Sequence, residues 1–198
     1  MAVVVDYQNM HLTARGQFTP QGAPTHHSLL HPLHLANQIV IAREAAQRTS
    51  VSTKLEHVSV FRGLPSSSHD AKNYARSLAQ KAEWTRDRRV QVTYRPLRYQ
   101  WENGVLVPRE KGVDVLVALD IVQLAQSRAY DVVILAAHDT DLEPALEFAL
   151  RGAAGGGGPT IETAGWRNCK RLRAGGSQLW HTFLNQSHYQ AARDRKQY

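Results

Sequence analysis

The chain has 198 residues, of which 42% are hydrophobic and 21% charged, and this is the composition of a globular domain with one buried core. Its 24 Lys and Arg residues against 17 Asp and Glu residues give a formal net charge of +7, which favours a polyanionic partner. The single cysteine, Cys169, excludes an internal disulfide bond and a Cys-rich zinc site, and it predicts a reducing, cytoplasmic environment. We expect neither an export signal nor membrane contact, because charges break every apolar run well before the roughly 20 residues that a spanning helix needs.

Apolar runs of strand length alternate with helical patterns along the chain. After a first strand over residues 2–5, ended by Asp6, residues 7–28 are polar and rich in Gly, Pro, Thr and His, which indicates a loop. The following patterns predict helix 32–48, strand 56–61, helix 69–85, strand 90–94, helix 113–127, strand 131–136, helix 140–151, strand 160–163 and helix 178–185. The Asn103-Gly104 pair predicts a hairpin between short strands over residues 98–101 and 105–107.

The predicted strands are apolar throughout rather than at alternate positions, which is typical of a parallel sheet covered on both faces. We therefore predict a doubly wound α/β fold, with one domain over residues 1–186 and a polar tail over residues 187–198 that frays. The glycine run at residues 155–158 lacks the Gly-Lys-Ser/Thr of a phosphate-binding loop, so we interpret it as a flexible connection.

Acidic residues are concentrated in one part of the chain, since residues 110–147 contain eight acids against two bases. Ligands of open α/β sheets bind beyond the carboxyl ends of the strands. Asp6 after the first strand, and Asp139 and Asp141 after strand 131–136, are therefore expected to converge if those strands are neighbours. Asp114, in the first turn of a predicted helix, could reach the same place. Carboxylates this close repel one another unless a cation neutralises them, and hard oxygen ligands suit Mg²⁺ or Mn²⁺.

A purely structural role is the alternative for these acids. An aspartate at a strand end or a helix N-cap commonly satisfies backbone N–H groups and does nothing more. For any single residue this alternative is favoured, whereas for Asp6, Asp114 and Asp139 together a shared site is favoured. Asp120 lies about 120° from Asp114 around the helix, by the 3.6-residue period, and therefore ranks below the others.

Three ordered motifs resemble the NYN family of PIN-like nucleases. They are Val-Val-Val-Asp-Tyr-Gln-Asn at residues 3–9, Lys-Gly-Val-Asp-Val at residues 111–115 with Ala-Leu-Asp at 118–120, and Tyr-Asp-Val-Val-Ile-Leu-Ala-Ala-His-Asp-Thr-Asp at 130–141, followed by Ala-Gly-Trp at 164–166. The resemblance implies a PIN-like α/β/α sandwich with a mostly parallel sheet, and a metal-dependent ribonuclease. In one departure the family usually has Ser-Gly where this chain has Ala137-His138, so a possible hydrogen bond is lost and the His138 ring is expected to narrow the site.

The resemblance also implies roles for individual residues. Asp6, Asp114 and Asp139 would be metal ligands, with Asp141 as a fourth acidic member of the group. Asn9 would orient a metal-bound water or the scissile phosphate. One or two Mg²⁺ or Mn²⁺ ions could activate the water, polarise the phosphorus and stabilise the leaving oxygen, so that no protein nucleophile is needed. The products would carry a 5′-phosphate and a 3′-hydroxyl.

Arginines interleaved with aromatic residues indicate a surface for RNA. Between residues 76 and 101 basic residues alternate with Trp84, Tyr94, Tyr99 and Trp101, a mixture suited to phosphate contact and base stacking. A second basic cluster occupies residues 167–173, and a solvated face is the alternative at both places. The candidate nucleic-acid-binding residues are Lys111, Arg76, Arg86, Arg88, Arg89, Arg95, Arg98 and Arg171.

These observations predict a cytoplasmic endoribonuclease that depends on Mg²⁺ or Mn²⁺. The sequence leaves open whether the RNA is tRNA or mRNA, where it is cut, and whether the chain forms a homo-oligomer or has a protein regulator. Two alternatives also stay open. One is a catalytically idle RNA-binding or regulatory module of the same fold, favoured by Ala137-His138, and the other is a DNA-directed PIN-like nuclease.

Overall fold

A parallel sheet forms the centre of the computed structural model, which describes residues 1–47, 53–154, 157–176 and 179–198. The strands of the described residues are β1 (Ala2–Asp6), β2 (His57–Leu64), β3 (Val90–Pro96), β4 (Arg98–Glu102), β5 (Val105–Arg109), β6 (Val132–Ala136), β7 (Thr160–Trp166) and β8 (His181–Leu184). Six of them form the sheet in the order β3-β2-β1-β6-β7-β8, and every neighbouring pair is parallel. β4 and β5 form the predicted antiparallel hairpin, turned by Asn103 and Gly104 at φ values of 49° and 78°.

Helices cover both faces of the sheet. They are α1 (Tyr7–Phe18), α2 (Pro32–Gln47), α3 (Ala71–Trp84), α4 (Val113–Ser127), α5 (Glu143–Ala153) and α6 (Gln186–Ala192). Because side chains alternate along a strand, Val3 and Val5 of β1 pack with α1, α2 and α6, whereas Val4 packs with α4 and α5. The predicted doubly wound α/β/α sandwich is therefore confirmed. None of the helices in the described ranges is both long and apolar enough to cross a membrane.

The strand order reverses between β1 and β6. The chain builds β1, β2 and β3 outward in one direction and then returns to the other side of β1 to build β6, β7 and β8. Val5 of β1 is level with Ala136 of β6, so Asp6 lies beside the loop that follows β6. A topological switch point, where open α/β sheets bind ligands, is thus formed at the carboxyl ends of these two strands.

The prediction of a loop over residues 7–28 is wrong for the first half of this segment, because α1 begins directly after β1. The Asp6 side chain caps this helix by accepting a hydrogen bond from the backbone N–H of Asn9 at 3.1 Å. The buried positions have the helical spacing i, i+3, i+4, i+7, and they are Tyr7, Met10, His11 and Ala14. Two of the four are residues with polar atoms, which hides the apolar stripe in the sequence.

The predicted helix over residues 178–185 is also wrong within the described residues, which exclude residue 178. Residues 181–184 form β8 instead, which pairs with β7 from Thr163 to Trp166. The helix comes afterwards, as α6, and Asn185 caps it by accepting hydrogen bonds from the backbone N–H groups of Ser187 and His188. Two other predictions extend beyond the described residues. They are the last residue of the predicted helix 32–48 and residues 155–156 of the glycine run.

The tail that was expected to fray is ordered by buried contacts. Tyr189 and Ala192 of α6 are buried in the core. The carboxylate of Asp194 accepts hydrogen bonds from the indole N–H of Trp84 at 2.7 Å and from the hydroxyl of Tyr198 at 2.6 Å. The prediction of fraying is therefore wrong for this segment, while the division of the chain at residue 186 stays a prediction.

A buried ion pair joins α2 to the sheet. The guanidinium of Arg43 donates to both carboxylate oxygens of Glu162 in β7, each at 2.7 Å. Their side chains are only 10% and 2% exposed. Two parallel hydrogen bonds satisfy both charges away from water, so the pair fixes the position of α2 on the sheet.

Candidate functional site

Asp6 is the central acid of the candidate site. It ends β1 and is 6% exposed, and its Oδ1 atom accepts the hydrogen bond that caps α1. The pKa of Asp6 is raised to about 7, mainly by burial and to a smaller extent by the negative charges of Glu110, Asp139 and Asp114, against the opposing effect of the Asn9 N–H group. The ionised form of Asp6 is therefore costly where it stands.

The acids that act on Asp6 come from three other places in the chain. Asp139 follows β6 and accepts a hydrogen bond from the backbone N–H of Asp141 at 3.0 Å. Asp114 is exposed in the first turn of α4. Glu110 follows β5. The charges of acids from separate elements thus act on Asp6 at the switch point, while a site shared by Asp6, Asp139 and Asp114 stays a prediction.

Glu110 is the member of this group that the sequence reasoning missed. Its Oε1 atom accepts a hydrogen bond from the backbone N–H of Gly63, in β2, at 2.6 Å. Partial burial raises the pKa of Glu110, and the charge of Asp114 adds to the effect, whereas the Gly63 N–H and Arg62 lower it. The available signal was its position directly before the Lys111-Gly-Val-Asp114 motif, four residues ahead of Asp114.

Two other acids differ from this group. Asp141 is exposed and its backbone N–H is bound by Asp139, so it lies beside the cluster and stays the predicted fourth acid. Asp120 lies further along α4, where burial raises its pKa and Ser59 and His57 of β2 lower it. These neighbours agree with the helical period, which predicts that Asp120 and Asp114 lie on different faces of α4.

Asn9 and His138 connect the two strand ends at the switch point. The Asn9 side-chain oxygen accepts a hydrogen bond from the backbone N–H of His138 at 2.7 Å. One nitrogen of the His138 ring lies 3.0 Å from the carbonyl oxygen of Lys170, and the other accepts from the backbone N–H of Trp166 at 3.1 Å. The ring is therefore held against β7, on the side of β6 away from β1, and the expected narrowing of the acid cluster by this ring is not seen. Burial lowers the pKa of His138, which keeps the ring neutral.

The donor chemistry of the cluster fits a hard divalent cation. Its side chains offer carboxylate oxygens, and within the described residues none of these acids forms an ion pair with Lys or Arg within 4.0 Å. A cation would relieve the cost of ionising Asp6. As the side chains stand, however, the described part of the chain has no group of three or more His, Cys, Asp or Glu residues that could hold an ion. The cluster is an open set of candidate ligands, not a closed cage.

Part of the predicted nucleic-acid surface lies at the same end of the sheet as the acids. Lys111 is exposed beside Glu110, and its carbonyl oxygen accepts a hydrogen bond from the Arg95 side chain at the end of β3 at 2.6 Å. Arg98 begins the hairpin, and Arg76 lies on α3. These four residues stay candidates for contact with a substrate at the switch point.

The remaining candidates are placed differently. Arg86, Arg88 and Arg89 precede β3, so they lie at the amino ends of the strands, opposite the acids. Arg86 pairs with Glu83 at 3.1 Å and Arg89 with Asp87 at 2.8 Å. Arg171 follows β7, and its guanidinium donates to the carbonyl oxygen of Leu179. The structure therefore does not join the predicted basic residues into one surface.

Comparisons with known proteins relate the chain to one solved structure and to one family. A protein of unknown function from Vibrio parahaemolyticus has a solved structure that resembles this one with 16% sequence identity and a TM-score of 0.48, covering 86% of this chain and 83% of that chain. No curated protein matches the chain. The family model of the NYN domain matches residues 1–154, which include Asp6, Asp114 and Asp139. The chain therefore belongs to the NYN domain family, a family of PIN-like nucleases.

Proposed function

We propose that the chain is a metal-dependent endoribonuclease that hydrolyses RNA phosphodiester bonds at the acid cluster. The observation that carries this proposal is the position of Asp6, which is buried at the switch point with its pKa raised to about 7 by burial and by three acids. A helix cap alone needs one carboxylate, and Asp70 performs that task on α3 as a residue that is only partly buried. A costly, strongly perturbed carboxylate in such a place is characteristic of functional sites.

The residues divide the work as follows. Asp6, Asp114 and Asp139 would hold Mg²⁺ or Mn²⁺, with Glu110 and Asp141 at the margin of the site. The ion would supply Lewis-acid chemistry, polarising the phosphoryl group and lowering the pKa of a water molecule. The oxygen of Asn9 is engaged with His138, so its amide NH₂ group is left to orient a water or the scissile phosphate. Lys111, exposed beside Glu110, would contact the phosphate backbone.

The test is cleavage of labelled tRNA, mRNA and DNA by the purified chain, with Mg²⁺ or Mn²⁺ and with EDTA. We expect RNA cleavage only with metal, and its loss in the variants Asp6→Asn and Asp139→Asn. Asp131→Asn is the matched control, because Asp131 is exposed just before β6, at the opposite edge of the sheet. RNA cleavage that survives Asp6→Asn would overturn the mechanism, and cleavage of DNA alone would favour the DNA-directed alternative.

The second candidate function is an RNA-binding module without catalysis. It is favoured by the open ligand set of the described residues and by the Ala137-His138 departure from the family's Ser-Gly. This candidate predicts RNA binding that EDTA leaves unchanged and no cleavage with any divalent metal. The cytoplasm stays the expected location for either function, on the evidence of the single cysteine.

A further inference from the structure

A groove leads away from the acid cluster between α3, the hairpin and the segment that follows α1. Its cavity has a volume of about 570 Å³, which lies in the range of ligand sites. Gln8, two residues after Asp6, and Glu110 line the end next to the acids. A second cavity of about 510 Å³ continues from it, because both are lined by His26, Leu29, Arg76 and Gln80.

Arg62 is a fixed cation in this groove. It follows Phe61 of β2, the residue level with Asp6 of β1. Its guanidinium donates to the side chain of Gln80 at 2.7 Å and lies over the rings of Tyr7 and Trp84, with 4.9 and 5.9 Å to the ring centroids. These contacts hold the charge in place on the wall of the cavity.

Arg62 forms no contact ion pair in the part of the chain that the structure describes. No carboxylate lies within 4.0 Å of it, and its buried Nε atom has no hydrogen-bond partner there. Glu110, in the same cavity, feels its charge only from a greater distance. The neighbouring His11 adds no positive charge at neutral pH, because burial and then Arg62 lower its pKa to about 4. A half-buried guanidinium in this state is a strong site for an anion, and its planar donors match a phosphate.

We infer that this groove binds the single-stranded RNA that flanks the cleaved bond, and that Arg62 binds a phosphate in that strand. The inference rests on the proposed function for the position of the cleaved bond. The walls of the groove offer Pro65, Leu97 and Pro108 as apolar surface and His26 as a ring for base contact. Unstacked bases of a single strand can use such walls, whereas a duplex keeps its bases stacked inside and presents mainly its backbone.

The first test measures binding of a labelled, single-stranded oligoribonucleotide of about 12 nucleotides by the wild-type chain in EDTA, so that binding is separated from cleavage. We expect Arg62→Gln to weaken binding by about tenfold or more and to reduce the slope of log affinity against log salt by about 0.7. Arg62→Lys should keep the salt slope. Arg151→Gln removes the same charge from α5, on the other face of the sheet, and should change neither quantity by more than a small factor.

The second test asks whether Arg62 acts on one phosphate. A set of oligonucleotides, each with a single neutral methylphosphonate, is bound to the wild-type chain and to Arg62→Gln. We expect one position at which the neutral linkage weakens wild-type binding and has no further effect on the variant, which a merely structural arginine would not produce. If Arg62→Gln does not fold, the same scan with Arg76→Gln, whose residue lines both cavities outside the aromatic stack, tests the groove.

The outcomes separate this inference from the proposed function. Unchanged affinity and salt slope in a folded Arg62→Gln variant overturn the groove even if the wild-type chain cleaves RNA. If Arg62→Gln weakens the binding of an RNA duplex of the same length as much as it weakens the binding of the single strand, the assignment of the groove to single-stranded RNA is wrong. If the wild-type chain never cleaves RNA but shows the position-specific coupling to Arg62, the proposed nuclease function is wrong and the RNA-binding role of the groove is supported.

Discussion

Replacement of Asp6 by Asn should remove activity and raise stability. Asn keeps a side-chain oxygen at the same position, so it can still accept the N–H of Asn9 that caps α1. What it removes is a negative charge that is 6% exposed and lies close to three other acids. In EDTA the variant should therefore unfold at higher urea concentration than the wild-type chain at neutral and alkaline pH.

The size of this effect follows from the raised pKa of Asp6. Between pH 3.8 and about 7 the folded chain keeps the Asp6 proton and the unfolded chain does not. The stability that Asp6 contributes is thus fully present below pH 3.8 and is lost as the pH rises to about 7, at about 1.4 kcal/mol per pH unit. The stability of Asp6→Asn relative to the wild-type chain should increase by about 4 kcal/mol between pH 4 and pH 8.

The assay is urea unfolding at pH 4, 6 and 8 in EDTA, followed by circular dichroism. Asp70→Asn is the control, because Asp70 caps α3 through the same hydrogen bond, also at 3.1 Å, but is only partly buried. This control removes no deeply buried charge, so it should be no more stable than the wild-type chain at pH 8. A pH-independent difference for Asp6→Asn, or a variant less stable than the wild-type chain at pH 8, would refute the reasoning. Addition of Mg²⁺ should stabilise the wild-type chain more than the variant.

Two further substitutions test the packing of the fold by the free energy of unfolding in urea. Gly165→Ala would place a Cβ atom against the His138 ring, which cannot move aside because both of its nitrogens are hydrogen-bonded. This substitution should lower the free energy of unfolding by about 1–3 kcal/mol. Gly16→Ala is the control, because its Cβ atom would have no other atom within 4 Å, and it should be neutral or stabilising. Equal effects of the two would contradict this account. Glu162→Gln leaves the buried Arg43 without its carboxylate and should cost about 3–5 kcal/mol, and a change below about 1 kcal/mol would show that the pair is dispensable.

The centre of the site could be predicted because it depends on strand ends. Asp6 ends one apolar run and Asp139 follows another, and in a parallel sheet neighbouring strands end at the same edge. The neighbour relation itself was an assumption, which the pairing of β1 with β6 confirms. Asp114 followed from its place in the first turn of α4.

The rest depends on contacts between distant segments. Glu110 reaches the site because the hairpin returns the chain to Gly63, a contact between residues 47 positions apart that no local pattern encodes. Residues 181–184 become a strand because β7 offers a free edge, and Thr182 and Phe183 are of types that suit a strand. Arg62 lies just past the predicted end of its strand, and its aromatic partners come from α1 and α3, one of which was predicted as a loop.

The passage from β1 to α1 has no intervening residue, since the strand ends at Asp6 and the helix begins at Tyr7. Insertions are tolerated where a connection can lengthen without disturbing its flanks, and this junction offers no such place. The hairpin and the segment between α1 and α2 line the groove, and both can lengthen without disturbing the elements that flank them. We expect that related chains diverge in the length of these two walls, so that substrate preference can change while the acidic end of β1 keeps its position.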